Sequence, residues 1–279
     1  MSSECNHNCE GCSGSASCIE KNGGIPKDPF NPKSSVKKVI AVVSGKGGVG
    51  KSLITSLSAI AANRMGYTVG ILDADITGPS IPRIFGIQNK AQGTEDGMLP
   101  QETENGIRIM SVNLILENES DPVAWRGPIL SSVVRQFWNE VIWGDLDFLF
   151  IDMPPGTSDV MLTTFQSIPV DYSIMVTSPQ ELVSMIVGKA VNMANQMDVP
   201  ILGLVENMSY IVCPDCGKKI PIFGESRLNQ VCSEYGILPL GSIPMLNELA
   251  SLTDKGSLEE INLESGFLDP IASALKKLI

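Results

Sequence analysis

Eight consecutive residues carry the most chemistry. Gly45-Lys46-Gly47-Gly48-Val49-Gly50-Lys51-Ser52 follow an apolar run, Val39 to Val43, and precede a helix-like stretch from Leu53 to Met65. Strand, Gly-rich turn and helix in that order build a phosphate cradle, and the G-x-x-x-x-G-K-S spacing is complete. Glycines let successive backbone N–H groups converge on one anion, and the helix N-terminus adds its dipole. Lys51 is placed to reach the β- and γ-phosphates of ATP, and the Ser52 hydroxyl to ligate Mg²⁺. A Gly-rich stretch can also be a plain turn, but here all eight positions and both flanks fit the cradle.

Carboxylates close two further apolar runs. Asp152 ends Phe148-Leu149-Phe150-Ile151, and Asp73 and Asp75 follow the strand-like Tyr67 to Leu72. Ligands of open α/β sheets bind beyond the carboxyl ends of the strands, which brings these acids to the phosphates. Asp152 is expected to hold a Mg²⁺-bound water. Asp73 would support Mg²⁺ hydration, and Asp75 would orient or deprotonate the attacking water. The plainer role for a strand-end acid is a helix cap. Met153-Pro154-Pro155-Gly156-Thr157 reads as a rigid turn whose Gly156 N–H is available to a γ-phosphate. Asn207 ends a later strand; its amide can donate and accept at once, which suits adenine or, equally, a turn.

Sulfur is the third feature. Cys213-Pro214-Asp215-Cys216-Gly217 puts two thiols on one tight turn, half of a metal site. Two ligands do not complete a site, so three readings stand: a redox dithiol, the remnant of a zinc turn, or a two-fold axis along which a second copy supplies two more. Cys5, Cys9, Cys12 and Cys18 crowd the N-terminus with C-x3-C-x2-C-x5-C spacing, enough for one [4Fe–4S] cluster or one Zn²⁺. Metal ligation would supply the folding energy that this Ser/Asn/Gly-rich stretch lacks; a flexible thiol-rich tail is the alternative. His7 is the only histidine. Cys232 reads as a small buried residue.

The elements that must position these groups follow from periodicity. Residues 1–35 form a Cys-rich extension and linker, with Ile25 to Pro32 as linker, and residues 36–279 an ATPase domain carrying the cysteine turn at 213–216. The fold class is α/β, a doubly wound, mostly parallel sheet flanked by helices. Gly78 to Gly86 suits a switch-like loop and short helix. Met98 to Asn113 suggests a hairpin turned at Asn105-Gly106, and Ile129 to Trp143 an amphipathic helix with Pro128 in its first turn. Its Val133, Val134, Phe137 and Trp138 belong to the core or to a subunit contact. Strands are predicted over Tyr172 to Val176, Ile201 to Val205 and Leu238 to Ile243, and helices over Gln180 to Met197, Gly224 to Tyr235, Leu246 to Leu252 and Leu268 to Ile279.

With 43% hydrophobic and 18% charged residues, the chain can bury a large core. A net charge of −11 argues against nucleic acid and against anionic lipid as partners. There is no apolar run of transmembrane length and no signal-peptide pattern, so a cytoplasmic protein is expected, its seven cysteines thiols or metal ligands.

Lys46, directly after the first glycine, is similar to the lysine of deviant-Walker P-loop ATPases, which reaches across a dimer to the partner's nucleotide. With Val43 to Ser52, Leu72 to Ser80, Phe150 to Asp159 and Val205-Glu206-Asn207-Met208-Ser209 followed by Cys213 and Cys216, the chain resembles the Mrp/ApbC family of iron–sulfur carrier ATPases. That resemblance implies a homodimer holding a labile [4Fe–4S] cluster between two copies of Cys213 and Cys216. It further implies slow ATP hydrolysis and cluster delivery to apo iron–sulfur proteins. The ending C-x2-C-x5-C at Cys9, Cys12 and Cys18 is similar to the extension of the family's eukaryotic cytosolic branch, with a shorter first gap. A spatial organiser of the partition or division-site type is the rival class. It calls for a basic face or a basic amphipathic tail, and neither is visible. A nitrogenase-reductase-like electron donor is the third, though its cluster cysteines sit on separate loops.

Overall fold

The apolar runs become strands buried on both faces. In the computed structural model, which describes residues 27–116, 127–156, 158–180, 184–262 and 266–279, β1 (Ser35–Ser44) runs into the phosphate loop and α1 (Lys51–Arg64) leaves it. Then come β2 (Val69–Asp73), the short α2 (Ile81–Ile84), and the small strands β3 (Gln92–Thr94), β4 (Gly97–Leu99), β5 (Gln101–Glu102) and β6 (Arg108–Met110). The middle of the chain forms α3 (Gly127–Asn139), β7 (Asp145–Asp152), α4 (Asp159–Ser167), β8 (Tyr172–Thr177), α5 (Ser184–Gln196) and β9 (Ile201–Glu206). The last third holds β10 (Ile211–Val212), β11 (Lys219–Ile220), α6 (Leu228–Tyr235), β12 (Pro239–Ser242), α7 (Asn247–Lys255) and α8 (Asp269–Lys276). Cys5, Cys9, Cys12, Cys18, His7 and Thr157 lie outside the described residues.

The main sheet has the order β12-β9-β8-β1-β7-β2-β6-β5 and is parallel except for β5. Parallel strands need helical crossovers, so both faces are covered. Alternation along β1 shows the division: Val39, Ala41 and Val43 join the core under α3 to α6, while Ile40 and Val42 join the core under α1, α2, α7 and α8. Burying one such side chain stabilises by roughly 1.5–3 kcal/mol. Helix α1 is inside the second core along most of its length; Ser56, Ser58, Ala59, Ala61 and Ala62 are small enough to let it approach the sheet closely.

Three local expectations change. The helix expected to reach Trp143 stops at Asn139, because the Glu140 carbonyl accepts from the Met98 N–H and the Ile142 N–H donates to Met98, drawing the chain out to meet β4. The hairpin turned at Asn105-Gly106 joins only β5 and β6, whereas Met98 belongs to the β3–β4 hairpin. Residues 27–31, part of the stretch read as linker, lie against the core. Asp28 is paired by Arg135 through both carboxylate oxygens at 2.5 and 2.8 Å, its carbonyl accepts from Trp138 Nε1, and Phe30 lies 4.3 Å from the Trp138 ring, centroid to centroid. Val133, Val134, Phe137 and Trp138 are buried.

Candidate functional site

The phosphate loop turns on two left-handed glycines, Gly48 at φ +85° and Gly50 at φ +80°. Gly50 is also the residue before α1, so the first free N–H groups of that helix open into the loop. At Gly50 the neighbours decide the residue type as well: a Cβ there would stand 2.2 Å from the Asn207 amide nitrogen. Beside the loop lies a cleft of about 210 Å³, lined among others by Lys46, Gly48, Lys51, Ser52 and Asp75.

Asp152 lies behind the cleft and ties its polar groups together. Its fully buried carboxylate accepts from Lys51 Nζ at 2.7 Å and Thr55 Oγ1 at 2.9 Å on one oxygen, and from Ser52 Oγ at 2.6 Å on the other. Asp75 stands 4.0 Å from the same Lys51 Nζ. Asp73 lies directly across from Asp152 in the β2–β7 pairing and accepts from Ser111 Oγ at 3.1 Å and from the Asp75 N–H at 3.2 Å. Burial, and then the Asp152 charge, push the Asp73 carboxyl up to about 8, so it carries a proton at neutral pH. Burial also raises Asp75, against the pull of Lys51. The Ser52 hydroxyl with the Asp75 and Asp152 carboxylates offers hard oxygens of the kind Mg²⁺ takes in nucleotide sites, while Asp73 lies behind them. The structure thus brings together Lys51, Ser52, Asp75 and Asp152 from two strand ends and one helix.

Gly156 and Asn207 sit beside the loop in a different manner from that expected. The Gly156 N–H, expected to be available to a γ-phosphate, donates to the Ser44 carbonyl at 3.0 Å. Reaching a phosphate requires that bond to break. Asn207 is 2% exposed, and its Nδ2 donates to the Val49 carbonyl at 2.9 Å, so the donor side of the amide braces the phosphate loop. Lys46 is exposed at the loop's outer rim, its carbonyl accepting from Ser44 Oγ at 2.9 Å.

The cysteine pair caps the β10–β11 hairpin. Cys213 N–H donates to Lys218 at 2.9 Å and Gly217 N–H to Cys213 at 2.9 Å, closing a tight turn with Gly217 at φ +69°. The backbone N–H groups of Cys216 and Asp215, and after them the Cys216 side chain, lower the Cys213 thiol below its ordinary range. A thiol lowered in this way favours its thiolate form, the nucleophilic and metal-ligating one. Cys216 is exposed, whereas Cys232 is buried in α6 and pushed up to about 11 by burial and then by Glu206. Among the described residues no group of three or more His, Cys, Asp or Glu side chains could hold a metal ion.

Two contacts of the site are not in any motif. Thr55 lies one helical turn after Lys51, and that i, i+4 spacing is the one signal placing it on the Asp152 side. Ser111 follows β6 and reaches Asp73 only through the β2–β6 register.

Sheet order, left-handed glycine loop and carboxylate hub define a P-loop nucleoside triphosphatase. The family model described as NUBPL iron-transfer P-loop NTPase, of the ParA group, matches residues 35–278, and the chain belongs to that family. An iron-sulfur cluster carrier protein of Clostridium perfringens is 42% identical over 271 residues, covering 92% of this chain and 95% of its own. That of Methanococcus maripaludis is 41% identical, covering 92% and 90%. Among solved structures, a nucleotide-binding protein in complex with ADP from Archaeoglobus fulgidus superposes with a TM-score of 0.74 at 40% identity, covering 81% of this chain and 88% of that one. The cell division ATPase MinD of Pyrococcus furiosus, at TM-score 0.62 and 19% identity over 87% of this chain and all of that one, shares the fold.

Proposed function

We propose that this protein is an ATP-dependent iron–sulfur cluster carrier. MgATP occupies the phosphate loop, two copies associate, and Cys213 and Cys216 of each hold one [4Fe–4S] cluster, the cargo, for delivery to apo-proteins. The observation that carries this reading is the cysteine turn itself. One chain presents two sulfurs on one hairpin turn, Cys216 exposed and Cys213 half-buried, and that hairpin begins four residues after the loop-bracing Asn207.

The residues divide the work. Lys51 and Ser52, which donate to Asp152 in this structure, would hold the phosphates and Mg²⁺ when these are bound, and the metal would supply charge neutralisation on the phosphate oxygens. Asp152 would hold the metal through its water, and Asp75, beside Lys51, would orient the attacking water. Lys46 reaches the nucleotide of the other copy. Adenine contact falls to Asn207 through the side of its amide not spent on Val49, and Gly156 reports the γ-phosphate by exchanging its Ser44 bond. Cys5, Cys9, Cys12 and Cys18 form a second, separate sulfur site.

Anaerobic reconstitution with iron and sulfide tests the reading. The wild-type protein is expected to turn brown, to hold one cubane cluster per pair of chains and to activate an apo-aconitase-type acceptor. The Cys213→Ala variant is expected to lose that cluster and the transfer. A variant that still gains and transfers the same bridging cluster refutes the carrier role; a colourless wild type favours the spatial-organiser class.

A further inference from the structure

Four residues, Asn207 to Tyr210, join the end of β9 to the cysteine hairpin, and the first of them touches the phosphate loop. We propose that Glu206 and Asn207 are positioning residues through which nucleotide at the loop sets the geometry of the sulfur pair. What the two sites hold rests on the carrier reading above; the connection between them is drawn from contacts.

Asn207 makes the first contact, its amide donating to Val49 and filling the space that a side chain at Gly50 would need. Any movement of the loop toward phosphate therefore moves Asn207 or breaks that bond. Glu206 makes the second. It is fully buried, and its two carboxylate oxygens are divided between two hydroxyls: Oε1 accepts from Ser209 and Oε2 from Ser226 at 3.0 Å. Ser209 is where the chain enters the excursion that carries β10, Cys213, Cys216 and β11, and Ser226 is where it leaves, before α6. One side chain thus grips both legs of the hairpin at the base. A buried carboxylate is a costly way to fill space, so its presence here calls for a positioning role.

Met208 lies between Asn207 and Ser209 at φ +55°, a conformation that residues with side chains adopt rarely. Strain of this kind persists where the surroundings over-determine it, and it concentrates in switch regions. The surroundings do so here: the Asn207 N–H is fixed to Thr177 and the Ser209 N–H to Ile243, at 2.8 and 2.9 Å. A rigid peptide bond joins neighbours that grip different sites. Rotation at Met208 is the degree of freedom that converts a shift of the loop into a shift of the hairpin's base.

The test uses the full-length, cluster-free protein and residue-resolved alkylation of Cys213 and Cys216 by iodoacetamide. Rates are measured with and without Mg²⁺ and a non-hydrolysable ATP analogue. In the wild type the analogue is expected to change the rate about fivefold, the low end of ordinary site-to-site coupling. Ser226→Ala and Ser209→Ala each cut one grip, and in both that ratio is expected to fall toward one while the analogue still saturates the loop. A merely structural role would shift the rates equally with and without nucleotide and leave the ratio intact. A wild type indifferent to nucleotide, two variants that respond like the wild type, or variants that no longer take up the analogue all overturn the proposal. Failure of the carrier reading shows elsewhere, as a bridging cluster retained by Cys213→Ala, and leaves this ratio unchanged.

Discussion

Gly48 and Gly50 share a left-handed backbone and differ in what surrounds them. A Cβ at Gly48 meets nothing within 4 Å, so Gly48→Ala bears only the backbone strain, roughly 1–2 kcal/mol. At Gly50 the same strain is joined by collision with the Asn207 amide. Titration with a fluorescent ATP analogue is therefore expected to show binding weakened about tenfold in Gly48→Ala and lost in Gly50→Ala. Equal loss in both would mean that the Asn207 brace contributes nothing. Asp73 gives a second prediction at this scale. Its carboxyl is raised to about 8 in the folded protein, above its ordinary 3.8. Between those values the folded state binds the extra proton. Stability from this group is thus highest below about pH 4 and falls as pH rises toward about 8. Asp73→Asn keeps a neutral side chain of the same shape and removes this slope. Thermal melts of the nucleotide-free protein from about pH 5 to about pH 8 are expected to decline more steeply in the wild type than in the variant.

Elements were legible wherever one short stretch decided them. The strand, loop and α1 follow from residues 39–65, and the cysteine turn from two sulfurs two residues apart with a glycine after them. The contacts made between elements were not legible. Nothing local says that Glu206 will find both Ser209 and Ser226, that the Asn207 donor will be taken by Val49, or that Ser44 will accept the Gly156 N–H; each depends on the β1–β7 and β1–β8–β9 registers. The strap at residues 27–31 was missed for the same reason, since its Pro- and Asn-rich composition reads as loop while its partners, Arg135 and Trp138, lie more than a hundred residues away. The strap carries its own prediction. Arg135 is about half exposed, so Asp28→Ala is expected to cost less than about 1 kcal/mol. Phe30→Ala removes a ring packed on buried Trp138 and is expected to cost about 2 kcal/mol, less than a fully buried Phe because Phe30 is half-buried. Chemical denaturation at neutral pH ranks the two, and the reverse order would place the anchoring in the ion pair.

At the scale of the molecule, charge opposes the two-copy assembly proposed above. Each chain carries −11, so two copies repel before any specific contact forms, and bound triphosphate adds to the repulsion. Such a long-range term is screened over about 10 Å at 0.1 M salt and about 3 Å at 1 M. The attraction in the proposed pair, by contrast, would be short-ranged: Lys46 toward the other copy's nucleotide, and the apolar side chains exposed around the cysteine hairpin, Val212, Ile220, Ile222 and Phe223. Apolar contacts do not weaken as salt rises. The balance predicts that association in saturating MgATP analogue tightens between low and moderate salt. Sedimentation velocity at a series of salt concentrations reads it directly. Lys46→Ala separates the contributions: it should weaken association at every salt concentration while keeping the same upward slope. Association that falls steadily with salt in the wild type, and becomes flat in Lys46→Ala, would instead mean that the lysine–phosphate contacts outweigh the net charge of both chains.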